Sequence, residues 1–240
     1  MTTNLSPTLI LFDIDGTLLL PRGCGRAAFV RTLEELYSLP SDVMQMMDFG
    51  GKTDWQLLLE VLTPFGYTPA EIRASIPAFV DRLARHLAAI IPDYEVQALP
   101  GALDLIESLR HDPRARLGLV TGNTGVTAPI KLRAAGFDPA AFPIGAFGHE
   151  AADRADLPPL AVQRARDYWG GVFPAGRVVI VGDTPADVYC ARPIRARSVA
   201  VLTGFATREA LVAAMPDVLL DDLTDRAVVE EALFGANEHG

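Results

Sequence analysis

Short, unbroken apolar runs constrain the fold of this chain more than any other feature. Four stand out: "TLILFDI" from Thr8, "RLGLVTG" from Arg116, "RVVIVGD" from Arg177 and "SVAVLTG" from Ser198. "DVLLDD" from Asp217 is a weaker fifth. Their apolar character is continuous rather than alternating, and each ends in Gly, Asp or Thr. That pattern belongs to strands covered on both faces. Helix-like segments separate the later runs, among them "GALDLIESLR", "VTAPIKLRAAG", "PPLAVQRARDYWG" and "PADVYCAR". Strand alternating with helix predicts an α/β fold built on a Rossmann-like parallel sheet.

One region breaks that rhythm. From 19 to 97 the chain holds "RAAFVRTLEELYSL", "DWQLLLEVLTPFG" and "PAEIRASIPAFVDRLARHLAAII", with apolar residues recurring at three and four. This spacing predicts an α-helical unit inserted after the first strand. The expected division is a core of residues 1–18 and 98–240 and a helical cap of residues 19–97. Pro64 and Pro69 punctuate the cap, and Pro77 is expected to kink or split its last helix.

Composition excludes several classes of function. Half of the 240 residues are hydrophobic and 21% are charged, as in ordinary globular proteins. The net charge of −9 disfavours general binding to nucleic acid or to anionic membranes. No apolar run approaches membrane-spanning length, and "MTTNLSPT" lacks the basic-then-apolar pattern of a signal peptide. Cys24 and Cys190 supply neither a disulfide framework nor a zinc spacing. The expectation is a cytoplasmic protein without nucleic-acid or membrane partners, its oligomeric state unknown.

Three of the apolar runs end in polar clusters: "DIDGT", "TGN" and "GDTPAD". In open parallel sheets ligands bind outside the carboxyl ends of the strands, so these segments are expected to converge. In "DIDGT", Asp13 and Asp15 point the same way in an extended chain, roughly 6–7 Å apart. A hairpin turning at Asp15-Gly16 is the alternative, but it leaves Asp13 unexplained. In "GDTPAD", Thr184, Pro185 and Asp187 read as a helix start with a capping-box-like spacing. Asp183 falls outside that reading. If Asp183 and Asp187 join Asp13 and Asp15, four carboxylates need a cation, and hard oxygen ligands suit magnesium. Thr121 and Gly122 offer a hydroxyl and backbone N–H groups for an anion, although Thr-Gly-Asn is also an ordinary turn.

Taken in this order, the segments resemble the haloacid dehalogenase (HAD) superfamily of phosphohydrolases. "DIDGT" is similar to its first motif, "TGN" to its second and "GDTPAD" to its fourth. The resemblance extends from Leu9 to about Gly204, and phosphoglycolate-phosphatase-like members share the layout with an inserted helical cap. The third motif departs from the usual form: in "DRADLPPLAVQRA", Arg154 stands where a lysine is expected. Arg still binds phosphate and carboxylate, as a fork rather than a point charge; an exposed loop residue is the alternative. His149 and Glu150 nearby lack the spacing of a zinc helix and read as surface loop residues.

The resemblance implies a magnesium-dependent phosphatase acting on a small phosphorylated metabolite. Asp13 is then the nucleophile that forms an aspartyl-phosphate, and Asp15 the acid and base. Asp13, the Asp15 carbonyl and Asp183 would hold Mg2+, with Asp187 acting through water or from behind. Thr121, Gly122 and Arg154 would hold the phosphoryl oxygens. The second aspartate speaks for phosphoryl transfer over carbon–halogen cleavage. In the cap, "FGGKTDWQLL" puts Lys52 forward as a substrate-selecting residue, with a solvated lysine as the alternative, and Asp54 as a helix cap. Rival readings are a sugar phosphomutase of the same superfamily and a non-catalytic HAD-like binding protein.

Overall fold

The computed structural model describes residues 7–39, 43 and 47–235. The chain opens with β1 (Thr8–Phe12) and β2 (Leu19–Leu20), followed by three helices, α1 (Cys24–Tyr37), α2 (Asp54–Leu62) and α3 (Pro69–Ile90). It continues through β3 (Gln97–Ala98), α4 (Ala102–Arg110), β4 (Ala115–Thr121), α5 (Thr127–Ala134) and β5 (Ile144–Phe147). The last part comprises α6 (Leu157–Trp169), β6 (Val178–Gly182), α7 (Pro185–Ala191), β7 (Arg197–Val201), α8 (Arg208–Ala214), β8 (Val218–Leu220) and α9 (Arg226–Phe234).

Six strands form one parallel sheet in the order β5-β4-β1-β6-β7-β8. The central strand shows why its apolar run is unbroken. Ile10 and Phe12 face one apolar cluster, Leu9 and Leu11 the other, and none of the four is exposed to solvent. Each such side chain contributes roughly 1.5–3 kcal/mol by leaving water, so both faces reward hydrophobicity. All five expected runs are strands. β5, read from "IGAF", is an addition at the sheet edge; four residues following a proline carry too little pattern to announce a strand.

The hairpin alternative at Asp15-Gly16 is half met. Gly16 has φ +87° and its N–H donates to the Leu19 carbonyl at 2.8 Å, so the chain does turn there. Yet Leu19 and Leu20 pair antiparallel with Ala98 and Gln97 rather than with β1. This two-stranded ribbon carries the chain out to α1–α3 and back.

The three helices share an apolar cluster of their own, separate from those of the sheet. Phe29 sits edge-on between Phe49 and Phe79, with ring centroids 5.5 and 5.0 Å away. A capping box of Thr68 and Glu71, with Pro69 in the first turn, starts α3. Of the expected kink or split at Pro77, the split does not occur: α3 runs unbroken for 22 residues. Pro77 lies on the exposed face, where water can satisfy the freed carbonyl, while Ile72, Ile76, Phe79, Val80 and Leu83 keep the opposite face buried.

Candidate active site

The sheet register brings the motifs together. Phe12 lies level with Leu119 on one side and Val181 on the other. Asp13, one residue on, therefore adjoins the ends of β4 and β6, where Thr121 and Asp183 stand. The Asp13 N–H continues the ladder, donating to the Val181 carbonyl at 2.9 Å.

Asp13 is 5% exposed, and Arg154 Nη2 lies 3.2 Å from its Oδ1. Burial pushes the Asp13 carboxyl up to about 6; Arg154 opposes this, and Asp187 and Asp15 add to it by repulsion. Arg154 is not an exposed loop residue. It is buried, donates to Asp187 Oδ1 at 2.5 Å, and reaches the Val120 and Gly51 carbonyls at 3.3 Å each. Asp187 is also bound at Oδ2 by the Thr184 N–H and hydroxyl, at 3.0 and 2.7 Å, which is the expected capping box. Asp183 is wholly buried, with Oδ1 bound by the Thr17 hydroxyl and Oδ2 by the Phe205 N–H.

The Asp15 side chain has other partners. Its Oδ2 accepts from Lys131 Nζ at 2.5 Å and from Asn123 Nδ2 at 2.9 Å. Asn123 also donates through Nδ2 to Thr121 Oγ1 at 2.9 Å, so the "TGN" segment ties two of the motif residues together. Two buried atoms of the group, Asp15 Oδ1 and Arg154 Nε, have no hydrogen-bond partner among the described residues.

The helical region closes over these residues. The Asp54 N–H donates to the Gly122 carbonyl at 3.0 Å, Trp55 N–H to Gly148 at 2.9 Å, and the Thr53 hydroxyl to Ala152 at 3.0 Å. Gly122 permits this approach, because a Cβ there would fall 2.1 Å from the Lys52 carbonyl oxygen. Between the layers lies a cavity of about 480 Å³ lined by Asp13, Asp15, Lys52, Asp54, Lys131 and Arg154 among others. Lys52 is on its wall, but its ammonium is paired with Glu60 at 2.6 Å. Thr53, not Asp54, caps α2, accepting from the Gln56 N–H. The partly buried Asp54 faces the cavity, where burial pushes its carboxyl up to about 7 against the pull of Lys131.

A sequence profile of haloacid dehalogenase-like hydrolases matches residues 7–193. The chain belongs to this family. A phosphoglycolate phosphatase of Synechococcus elongatus is 33% identical over 146 residues, which are 61% of this chain and 64% of that protein. The chain thus matches somewhat under two thirds of that relative's length. Among solved structures, a hydrolase from Pseudomonas syringae superposes with a TM-score of 0.66 at 22% identity, covering 94% of this chain and 98% of that one. CbbY from Rhodobacter sphaeroides, solved in complex with phosphate, gives 0.66 at 23% identity, covering 91% and 96%. These structures share the α/β fold.

The family generally uses a divalent metal, and the donor set here fits one. Asp13, Asp183 and Asp187 offer carboxylate oxygens within 4.8 Å of one another, all buried. Burial first, and then repulsion from Asp187 and Asp13, raise the Asp183 carboxyl well above its ordinary range. Three carboxylates crowded out of water need a cation beyond Arg154 to be charged together. The Asp15 side chain stands outside this trio.

Three side chains of the cavity escaped the sequence reading: Lys131, Asn123, and Asp54 as a cavity residue. Lys131 carried a faint signal, since it shares the buried stripe Thr127, Ala128, Leu132 of α5. His149 and Glu150 differ from expectation in being partly buried. Glu150 holds Arg164 at 2.5 Å and the Phe147 N–H at 3.0 Å, a structural clamp at the end of β5.

Proposed function

We propose that this protein is a magnesium-dependent phosphatase that hydrolyses a small phosphorylated metabolite through an aspartyl-phosphate. The reading takes residues 1–18 and 98–240 as catalytic core and 19–97 as cap. The observation that carries it is the enclosed pairing of an acidic nucleophile with a buried guanidinium, Asp13 and Arg154, beside a carboxylate trio suited to a hard cation. Arg154 Nε and Asp15 Oδ1 are buried without partners among the described residues; a bound phosphate ester can accept from the first and, when Asp15 is protonated, from the second. The curated relative is a phosphoglycolate phosphatase, which supports the same class of substrate.

In this reading an Asp13 oxygen attacks phosphorus, forming the Asp13–phosphorus bond as the ester P–O bond breaks. Asp15 gives its proton to the departing alcohol oxygen. Water then attacks the phosphorus and passes a proton to Asp15, and the Asp13 carboxylate leaves. Arg154, the Thr121 hydroxyl and the Gly122 N–H hold the phosphoryl oxygens, preorganised where charge spreads in the transition state. Asp13, the Asp15 carbonyl and Asp183, with Asp187 behind, would hold Mg2+, which when bound would neutralise charge between nucleophile and phosphate. Lys52 is placed to meet a substrate anion if Glu60 releases it.

The test is release of inorganic phosphate from p-nitrophenyl phosphate and from a panel of metabolite phosphates, with and without magnesium. We expect Asp13→Asn to lower turnover by at least about 10³-fold, since the amide is no nucleophile. Full turnover in that variant sinks the assignment. Isomerisation of a sugar phosphate without net phosphate release marks a phosphomutase instead.

A further inference from the structure

Lys131 is a cation removed from water with no part in the reading above. It projects from α5 of the core and is 4% exposed. Its ammonium donates to Asp15 Oδ2 at 2.5 Å and to Asn123 Oδ1 at 2.6 Å. Asn123 in turn donates to the same Asp15 oxygen at 2.9 Å. The three side chains close a ring in which Oδ2 accepts two bonds while Oδ1, buried, accepts none from the described residues.

The surroundings of the ammonium come from both layers. Asp15 follows β1 and Asn123 follows β4; Cys24 and Gly25 begin α1, and Asp54 begins α2. A Cβ on residue 25 would lie 2.9 Å from Nζ, so the glycine leaves the space the amine occupies. Burial alone works against the charge of Lys131, but Asp15, Cys24 and Asp54 outweigh it and raise its pKa. A carboxylate on a flexible side chain, half-free in a cavity, samples several rotamers. Two donors on one oxygen remove that freedom and select which oxygen faces the substrate.

We propose that Lys131 is a positioning residue for proton transfer: with Asn123 it clamps Asp15 by Oδ2 and leaves Oδ1 to exchange the proton with the ester oxygen. This inference rests on the acid–base role proposed for Asp15. Lys131 does not touch substrate in it, and acts through Asp15 alone.

The experiment uses substrates that differ in their need for a proton. p-Nitrophenolate departs without one, whereas an alkoxide requires it, and kcat/KM reports only the steps through the first phosphoryl transfer. kcat/KM is measured with p-nitrophenyl phosphate, phenyl phosphate and an alkyl phosphate, with magnesium present. The proteins are wild type, Asp15→Asn, Lys131→Met and the double variant, and thermal melts confirm that each folds. Lys131→Gln, which keeps a donor, serves as a second probe if the methionine variant does not fold. Asp15→Asn is expected to lose about 10²–10⁴-fold on the alkyl ester and far less on the nitrophenyl ester. Lys131→Met should lose about 10–100-fold on the alkyl ester and under about 3-fold on the nitrophenyl ester, with Lys131→Gln following the same order at smaller size. In the Asp15→Asn background Lys131→Met should cost nothing further, because the two act as one unit. A loss equal across the three esters, no loss, or an added loss in the double variant overturns the positioning role while leaving Asp15 as the acid. An Asp15→Asn variant indifferent to the leaving group overturns the acid–base reading, and this inference with it.

Discussion

Replacing Arg154 by lysine separates charge from shape at a buried cation that meets two carboxylates. Nη2 serves Asp13 Oδ1 at 3.2 Å, Asp187 Oδ1 at 2.5 Å and the Val120 carbonyl at 3.3 Å, and Nη1 serves the Gly51 carbonyl at 3.3 Å. These acceptors come from the end of β1, from α7, from β4 and from the cap loop, so one planar fork joins four parts of the fold. A lysine keeps the positive charge but offers a single nitrogen. It can stay with one carboxylate or lie between the two, and it cannot also reach Gly51. The loss is one hydrogen bond between charged partners, about 1.5–3 kcal/mol, and one from the guanidinium to a neutral carbonyl, about 1 kcal/mol. We expect Arg154→Lys to lower unfolding free energy by about 2–4 kcal/mol and kcat/KM by about 30–100-fold.

Arg154→Met bounds the effect, since it leaves Asp13 and Asp187 buried without their counter-charge. Breaking a buried pair in this way costs about 3–5 kcal/mol. Urea unfolding of the three proteins at one pH gives the stabilities, and p-nitrophenyl phosphate hydrolysis gives kcat/KM. The reasoning fails if Arg154→Lys stays within about 3-fold in kcat/KM and about 0.5 kcal/mol in stability. Charge alone would then suffice, and the fork would be incidental.

Two other expectations follow from the seam between cap and core. Gly122→Ala places a methyl 2.1 Å from the Lys52 carbonyl oxygen, so the cap loop must withdraw and the Asp54-to-Gly122 hydrogen bond must lengthen. We expect kcat/KM to fall by about 10-fold or more, as misplacement near the chemistry commonly costs, and an unchanged value would refute the tight approach. Asp54→Asn tests the burial of that carboxyl. A group held near 7 when folded, against an ordinary 3.8, brings no penalty below 3.8, a growing penalty as pH rises between the two, and the full penalty above 7. With its partial access to water we expect the variant to gain about 1–2 kcal/mol at pH 8 and almost nothing at pH 4. Equal effects in urea unfolding at both pH values would contradict this.

How much of this was legible in the sequence depended on how far each signal travels along the chain. The strands were legible because Leu9 to Phe12 must satisfy two apolar faces at once, and that demand is written in consecutive residues. The ends of β1, β4 and β6 were legible because a polar group after such a run has few bland explanations. β5 was not, since an edge strand of four residues needs no such run. Pro77 does not split α3 as its backbone rule allowed, because the packing of the helix's buried face outweighs it.

The side-chain chemistry divides along the same line. Arg154 could be picked out because the resembled third motif sets a cation before a proline-marked helix start, a local frame. Lys131 could not, because the partner that explains it, Asp15, lies 116 positions away, and a lysine in a short amphipathic helix reads as solvated. Lys52 is the converse: its loop pointed to a substrate, and the fold supplies Glu60, eight residues on, as a competing partner. Glu60 is more exposed than Lys52 and lies on the next helix, α2, so the pair is a weak surface bridge rather than a buried lock. A substrate anion entering the cavity needs to offer Lys52 only slightly more than Glu60 does. Lys131, shielded from water and held by two acceptors, has no such freedom, and its place beside Asp15 is therefore settled by the fold before any ligand arrives.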